Sequence, residues 1–217
     1  MIRLAICCLT ALSFVVTDVV EAQARWEADI RAFEAADAAT PPEPGGVLFV
    51  GSSSIRMWTT LSEDFEGMNV LNRGFGGSQM TDVIHYAHRI VVPYAPRLIV
   101  LYEGDNDVAA GKSPEEVFRD YLRFVALARN QLPDSRIAFI AVKPSLARWN
   151  LAPEMQRVNR LVESHAANHA YLDYIDVWEP MLGENGEPMP DLFLDDGLHM
   201  NERGYAIWTE AVAPFVE

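Results

Sequence analysis

Short apolar runs that alternate with longer helical patterns constrain the fold of this chain most strongly. Such runs, ending near a glycine or a polar residue, are typical of strands that are buried on both faces of a parallel sheet. Because the runs alternate with helices, the sequence predicts a three-layer α/β sandwich with a mostly parallel, five-stranded sheet. The predicted strands are residues 47–50, 70–71, 98–101, 137–142 and 171–177.

The segments between these strands have the apolar spacing of amphipathic helices. One of them starts with Ser113 as N-cap and Pro114 at the first helical position, which is a typical helix start. The other predicted helices are residues 25–38, 79–92, 154–169 and 203–212. A proline- and glycine-rich stretch follows the first of these. We therefore expect an N-terminal helix and linker at residues 25–46, followed by one domain at residues 47–217.

The N-terminus has the three parts of an export signal. Arg3 supplies a positive charge, residues 4–16 are apolar, and Ala22-Gln23-Ala24 is a small-residue cleavage site. We expect residues 1–24 to be a signal peptide, cleaved near Ala24 on export to the periplasm or the extracellular space. Both cysteines, Cys7 and Cys8, lie inside this segment, so the mature chain would have no disulfide and no thiolate nucleophile.

The charge of the chain argues against several classes of partner. The formal net charge is −14, only two lysines occur, and the arginines are dispersed along the chain. Binding to nucleic acid and stable anchoring on an anionic membrane both require clustered basic residues, so neither is expected. A highly anionic substrate would be repelled for the same reason.

Polar and glycine-rich segments follow the predicted strands, where parallel sheets bind their ligands. Residues 52–54 supply hydroxyl groups after the first strand, and residues 74–77 supply backbone N–H groups after the second. After the third strand, Asn106 can donate its amide to a developing oxyanion, and before the last helix Asp196 can orient His199 as a general base. Each segment alone is also typical of an ordinary turn or helix cap. Together they supply the groups that acyl transfer requires.

The same segments resemble the four sequence blocks of the SGNH (GDSL-type) hydrolase superfamily. Residues 47–55 resemble the first block, residues 72–77 the second, residues 104–107 the third and residues 196–199 the last. The resemblance implies a flavodoxin-like sheet and the hydrolysis of esters or thioesters without a cofactor or a metal. The expected partner is a small-molecule or saccharide ester.

The resemblance also implies a role for each site residue. Ser52 replaces the aspartate that usually precedes the nucleophile of the superfamily. Ungapped counting from Gly51 selects Ser53 as the nucleophile and leaves Ser54 as the alternative. The implied site consists of Ser53, Asp196 and His199 as a catalytic triad and of Ser53, Gly77 and Asn106 as the oxyanion hole.

The absence of a long amphipathic insertion between the sequence blocks favours a short acyl group. We expect a short-acyl ester, such as an acetylated saccharide, because nothing in the pattern supplies a lid over a long apolar groove. A lysophospholipase or thioesterase of the same superfamily remains an alternative. Trp149, after the fourth strand, fits either the core or a platform that stacks on a sugar, whereas Trp58, Trp178 and Trp208 are predicted core residues.

Two other functions fit parts of the sequence. His85 and His88, three residues apart on a predicted helix, could join Asp105, Asp107 or His199 around a zinc ion, as in a metal-dependent hydrolase. Histidines at this spacing are also common on the surface of amphipathic helices. The second alternative is a non-catalytic carbohydrate-binding domain of the same fold.

Overall fold

Parallel strands form the central layer of the protein in the computed structural model, which describes residues 25–217. The predicted signal peptide, residues 1–24, lies outside the described residues. In sheet order the five strands are β2 (Val70–Gly74), β1 (Val47–Gly51), β3 (Leu98–Tyr102), β4 (Arg136–Ile140) and β5 (Leu172–Ile175). Every neighbouring pair is parallel, which confirms the predicted α/β sandwich. The position of β1 between β2 and β3 is flavodoxin-like.

Helices cover both faces of the sheet, as parallel strands require. One face carries α1 (Glu27–Ala39), α4 (Met80–Ile90), α6 (Pro114–Gln131) and α7 (Ala152–Ala166). The opposite face carries α2 (Ser53–Arg56), α3 (Leu61–Asp64) and α8 (Glu202–Val216). A further short helix, α5 (Asp105–Ala109), follows β3 almost directly. Among residues 25–217, no helix is both long and apolar enough to cross a membrane.

The alternation of side chains along each strand divides the core into two parts. In β1, Leu48 and Val50 pack in the core that contains α1, α4, α6 and α7, while Val47 and Phe49 pack in the core that contains α8. Trp58 and Trp208 are almost fully buried in the second core, with ring centroids 5.8 Å apart. Trp178 is also buried, so the prediction of three core tryptophans is confirmed.

Strand β2 is longer than its apolar pattern predicts. The apolar run ends after two residues, but pairing with β1 continues to Gly74. Its polar residues have partners within the fold: Asn72 donates to the Ile55 carbonyl at 2.7 Å, and Arg73 donates to the Tyr94 hydroxyl at 2.7 Å. Backbone pairing and these hydrogen bonds therefore extend the strand into a polar segment.

The ends of the other predicted elements differ from the structure by a few residues. Helix α4 ends at Ile90, before the predicted end, and a 3-10 turn at Val92–Tyr94 follows. Pro93 has no backbone N–H to donate, so the α-helix cannot continue through it. The short helices α2, α3 and α5 do not appear in the sequence pattern because a four- or five-residue helix shows no periodicity.

Helix α1 is packed into the three-layer fold and is not a detached surface element. Trp26 and Ile30 are buried in the core, and the Trp26 indole N–H donates to the Gly76 carbonyl at 2.9 Å. Arg89 of α4 donates to Glu27 of α1 at 2.7 Å. These contacts join residues 25–46, the expected helix and linker, to the same packed unit as β1.

β1 ends at Gly51, whose backbone has a φ of +145°. A Cβ atom at this position would lie 2.0 Å from the carbonyl oxygen of Tyr102 on the neighbouring strand. No side chain fits at that distance, so the close approach of β1 and β3 requires glycine. The Phe75 N–H also donates to the Gly51 carbonyl at 2.9 Å, which joins the turn after β2 to the same point.

We expect Gly51→Ala to lower the free energy of unfolding by at least about 3 kcal/mol, because the new Cβ must displace the Tyr102 carbonyl as well as strain the backbone. Gly67→Ala is the matched control, since Gly67 also has a positive φ, of +83°, but nothing lies within 4 Å of the added Cβ. Its loss should be about 1–2 kcal/mol. Urea titrations followed by circular dichroism measure both values. Equal losses would contradict the steric role of Gly51.

Candidate active site

The carboxyl ends of β1, β2 and β3 bring three of the predicted site segments together. The register pairs Gly51 of β1 with Gly74 of β2 and with Tyr102 of β3. The strand order reverses at β1, and parallel sheets bind their ligands at such a point. The loop before α8 reaches the same edge through a hydrogen bond between His199 and Ser53.

Ser53 is the first residue of α2, and its hydroxyl faces His199. The Ser53 Oγ lies 3.0 Å from the His199 Nε2, which is a hydrogen-bonding distance. Because Ser53 begins the helix, its backbone N–H has no acceptor within the helix. Ser54 is buried, and its carbonyl accepts the Tyr205 hydroxyl at 2.9 Å. Of the two candidate serines, Ser53 is the one that the structure places on the histidine.

The loop before α8 orients His199 through Asp196. The Asp196 Oδ1 accepts the backbone N–H groups of Leu198 and His199, both at 2.9 Å. Its Oδ2 lies 2.6 Å from the His199 Nδ1, and this hydrogen bond lowers the pKa of Asp196 to about 2. An ionised carboxylate can only accept, so Nδ1 carries the proton of a neutral imidazole. The lone pair of Nε2 is then directed at the Ser53 hydroxyl.

Neighbouring segments hold the His199 loop in place. The Leu194 N–H donates to the His199 carbonyl at 2.8 Å, and the Ala147 N–H donates to the Gly197 carbonyl at 3.0 Å. Asn201 then caps α8 by accepting backbone N–H groups of its first turn. The position of His199 therefore depends on the segment after β4 as well as on its own loop.

A hydrogen bond joins the two segments that carry Gly77 and Asn106. Asn106, in α5, donates from Nδ2 to the Ser78 carbonyl at 2.9 Å. Ser78 directly follows Gly77 in the turn between β2 and α4. An amide nitrogen has two protons, so this bond leaves the second proton of Asn106 for a ligand.

A buried carboxyl group lies behind this turn. The Ser78 hydroxyl lies 2.5 Å from the Glu103 Oε1 and 3.0 Å from the Phe75 carbonyl oxygen. Burial raises the pKa of Glu103 well above its usual range, and the nearby Asp107 raises it further. Burial therefore favours the protonated form of Glu103, whose hydrogen bond with Ser78 fastens the end of β3 to the turn after β2.

A charged cluster that the sequence motifs do not include surrounds Asp105. The Asp105 Oδ1 accepts the Arg148 Nη1 at 2.6 Å, and the Lys143 Nζ lies 3.6 Å from the other carboxylate oxygen. Lys143 is only 1% exposed, and burial lowers its pKa. One signal for this cluster is present in the sequence: both cations follow the fourth strand and therefore reach the same edge of the sheet as Asp105.

The residues of the zinc hypothesis are not brought together. His85 and His88 are exposed on α4, whereas Asp105, Asp107 and His199 are each bonded to other side chains. Within residues 25–217, no group of three or more His, Cys, Asp or Glu side chains is placed to hold a metal ion. The arrangement that a metal-dependent hydrolase requires is therefore not formed by these residues.

Trp149 belongs partly to the core and partly to the surface. Its ring stacks on Trp178 with centroids 5.9 Å apart and an angle of 26° between the ring planes. The residue is half-buried and directly follows Arg148 in the segment after β4. Both uses expected from the sequence are therefore compatible with its position.

The family of the chain follows from its sequence profile. The profile of the GDSL-like Lipase/Acylhydrolase family matches residues 46–207. The chain belongs to this family. The membership confirms the SGNH (GDSL-type) resemblance and makes the protein a hydrolase, and the matched range contains every residue of the candidate site. No curated protein matches the sequence.

Solved structures share the fold of this GDSL hydrolase at low sequence identity. A GDSL-like lipase from Bacteroides thetaiotaomicron has a TM-score of 0.73 and 21% identity, over 87% of this chain and 97% of that one. A candidate platelet activating factor from Streptococcus pneumonia has a TM-score of 0.79 and 16% identity, over 94% and 99% of the two chains. A catalytic mutant of an acetylxylan esterase from Geobacillus stearothermophilus has a TM-score of 0.67 and 14% identity, over 80% and 95%.

We expect Ser53→Ala to abolish covalent labelling by a fluorophosphonate probe, because such a probe bonds to a serine hydroxyl that an adjacent base activates. Ser54→Ala is the matched control and should still be labelled, since Ser54 is buried. Mass spectrometry of the labelled peptide identifies the modified serine, and circular dichroism checks the fold of each variant. Loss of labelling in Ser54→Ala but not in Ser53→Ala would select the other serine.

Proposed function

We propose that this GDSL hydrolase is a serine esterase that acts through an acyl-enzyme. In this proposal Ser53 is the nucleophile, His199 is the general base and Asp196 orients the imidazole. The observation that carries the proposal is the continuous series of contacts from the Ser53 Oγ to the His199 Nε2, at 3.0 Å, and from the His199 Nδ1 to Asp196, at 2.6 Å. A nucleophile, a base and an orienting carboxylate at such distances are the groups of Ser-His-Asp catalysis.

The reaction has two similar halves. The Ser53 oxygen bonds to the ester carbonyl carbon while its proton passes to the His199 Nε2, and the bond to the leaving alcohol then breaks as His199 protonates that oxygen. In the second half a water molecule attacks the acyl-enzyme and gives its proton to His199. The carboxylic acid leaves, and the proton returns to Ser53. Asp196 stays ionised throughout and stabilises the transient imidazolium.

The negative charge on the carbonyl oxygen needs hydrogen-bond donors. We assign this role to the backbone N–H groups of Ser53 and Gly77 and to the Nδ2 of Asn106. The position of Ser53 at the start of α2 and the bond between Asn106 and the Ser78 carbonyl support the assignment. Each donor of this kind contributes a factor of about 10²–10³ to kcat.

The connections around the site support a short acyl group. Within residues 25–217, the longest connection is residues 176–201, which contains two 3-10 turns and two isolated β-bridges. Met181, Leu192 and Phe193 anchor it in the core that contains α8. A connection that is packed down in this way does not form a separate cap over a long acyl chain.

A saccharide is the alcohol that we propose. Trp149 is half-buried and directly follows Arg148, which contacts Asn106, so this aromatic residue and the assigned oxyanion donors belong to neighbouring segments. Aromatic rings of this kind stack on sugars. The net charge of −14 disfavours anionic substrates such as acyl-CoA. The acetylxylan esterase of similar fold is consistent with this choice.

One feature favours a second candidate, a lysophospholipase or thioesterase that takes a longer acyl chain. A groove of about 710 Å³ has Met57, Leu194 and Met200 among its lining residues. The Met57 N–H donates to the Ser53 carbonyl and the Leu194 N–H donates to the His199 carbonyl, both at 2.8 Å. Two residues of the groove are therefore bonded through their backbone to triad residues, and the groove offers apolar surface to a chain.

The ionisation of Asp196 predicts the pH dependence of turnover. Its pKa is lowered to about 2, so the carboxylate is charged at every assay pH above 4 and does not produce the acid limb of the profile. We expect the profile of kcat/KM to show no inflection in the range of a carboxylate, because Asp196 stays ionised there. Asp196→Asn should lower kcat by about 10³–10⁴-fold because it removes the group that selects the tautomer.

The matched control for this substitution is Asp195→Asn, which changes the adjacent exposed carboxylate and should leave kcat near the wild-type value. Two results would overturn the role of Asp196. One is an acid limb of the kcat/KM profile with its midpoint in the range of a carboxylate, and the other is an equal loss of kcat in the two variants.

The proposed preference for a short acyl group is tested by measuring kcat/KM on p-nitrophenyl esters from acetate to palmitate. We expect an optimum between acetate and butyrate, and faster deacylation of acetylated saccharides than of lysophospholipids or acyl-CoA. Leu194→Ser should leave the chain-length profile unchanged, because a short acyl group does not extend into the groove.

Leu146→Ser is the control for surface polarity, since Leu146 and Leu194 are 41% and 44% exposed. An optimum at octanoate or beyond that Leu194→Ser abolishes and Leu146→Ser preserves would establish the second candidate.

A further inference from the structure

The side-chain amide of Asn106 is held at both ends. Its Nδ2 donates to the Ser78 carbonyl at 2.9 Å, and its Oδ1 accepts the Arg148 Nη1 at 3.1 Å. A guanidinium can only donate and a carbonyl oxygen can only accept. If the amide were rotated by half a turn, donors would face donors and acceptors would face acceptors. These two partners therefore permit a single orientation of the amide.

Arg148 is itself fixed by the fold. The Nη1 that contacts Asn106 also donates to Asp105 at 2.6 Å, and only 20% of the side chain is exposed. The preceding residue, Ala147, donates its N–H to the Gly197 carbonyl in the loop before α8. The backbone that carries Arg148 is therefore bonded to the loop that carries the histidine.

We propose that Arg148 is a positioning residue of the proposed ester hydrolysis, on which this inference rests. It holds Asn106 so that the second Nδ2 proton is directed at the oxyanion. Because the guanidinium is bonded to Oδ1, it also polarises the amide and strengthens its N–H groups as donors. Arg148 acts through Asn106 and does not touch the reacting atoms.

Arg148 would contact Asp105 in the same way if its role were purely structural. Lys112 provides the comparison that separates a structural role from the positioning of Asn106. Lys112 is 24% exposed and donates to Asp107 at 2.8 Å. Asp105 and Asp107 flank Asn106 in the sequence. Each cation thus neutralises a buried carboxylate beside Asn106, but of the two, Arg148 is the one bonded to its amide.

A double-mutant cycle on p-nitrophenyl acetate tests the proposal. We expect Arg148→Met to lower kcat by about 10–100-fold, because a misplaced group loses about this factor, with little change in KM. Asn106→Ala should lower kcat by about 10²–10³-fold. The double variant should be no slower than Asn106→Ala alone, because a residue that acts through another has no effect once that partner is removed.

The control variant is Lys112→Met, and its stability is compared with that of Arg148→Met by thermal unfolding. Lys112→Met should lower the melting temperature as Arg148→Met does but should keep kcat near the wild-type value. If Arg148→Met does not fold, Arg148→Lys replaces it in the cycle, because lysine keeps the charge beside Asp105 and lacks the planar fork.

Three results would overturn the positioning role in an active enzyme. They are additive losses in the cycle, a change confined to KM, and an equal loss of kcat in Lys112→Met. A wild-type protein that neither turns over esters nor reacts with a fluorophosphonate at Ser53 would instead overturn the proposed function itself.

Discussion

The contact between Gly51 and the Tyr102 carbonyl is the constraint on which the site depends. Because Gly51 has no Cβ, β1 and β3 can approach closely at their carboxyl ends. The turn after β2 joins them through the Phe75 N–H, which donates to the Gly51 carbonyl. The residues that follow these strands then emerge within reach of one another. Two residues after Gly51, Ser53 begins α2, and its hydroxyl faces His199 in the loop that leads into α8. A wider spacing of the strand ends would separate Ser53 from the segments that carry Gly77 and Asn106.

Buried carboxyl groups lie directly behind the proposed oxyanion hole, and each is neutralised in its own way. Burial raises the pKa of Glu103 well above its usual range and so favours its neutral form. Asp105 is ion-paired with Arg148 and lies 3.6 Å from Lys143, and Asp107 is ion-paired with Lys112. An uncompensated negative charge at this place would be costly to bury. In a chain with a net charge of −14, both lysines lie beside these carboxylates.

The segment after β4 connects the loop that carries His199 with the helix that carries Asn106, although β4 does not pair with β1. Ala147 is bonded to the loop of the histidine, Arg148 to the amide of Asn106, and Trp149 stacks on the core residue Trp178. Packing of this segment against the core therefore helps to hold both His199 and Asn106 in place.

Apolar runs and helical spacing are local patterns. They were sufficient to predict the parallel α/β fold and the edge of the sheet at which the polar segments cluster. The sequence also limited the nucleophile to Ser53 or Ser54 through its resemblance to a known family. It did not show that β2 continues into polar residues, that α1 packs on α4, or that Arg148 reaches Asn106. Those features, and the pairing of Ser53 with a histidine 146 residues away, depend on distances between segments remote in the chain. Such distances are set only when helices pack on both faces of the sheet, because close packing fixes the side-chain directions that local patterns leave open.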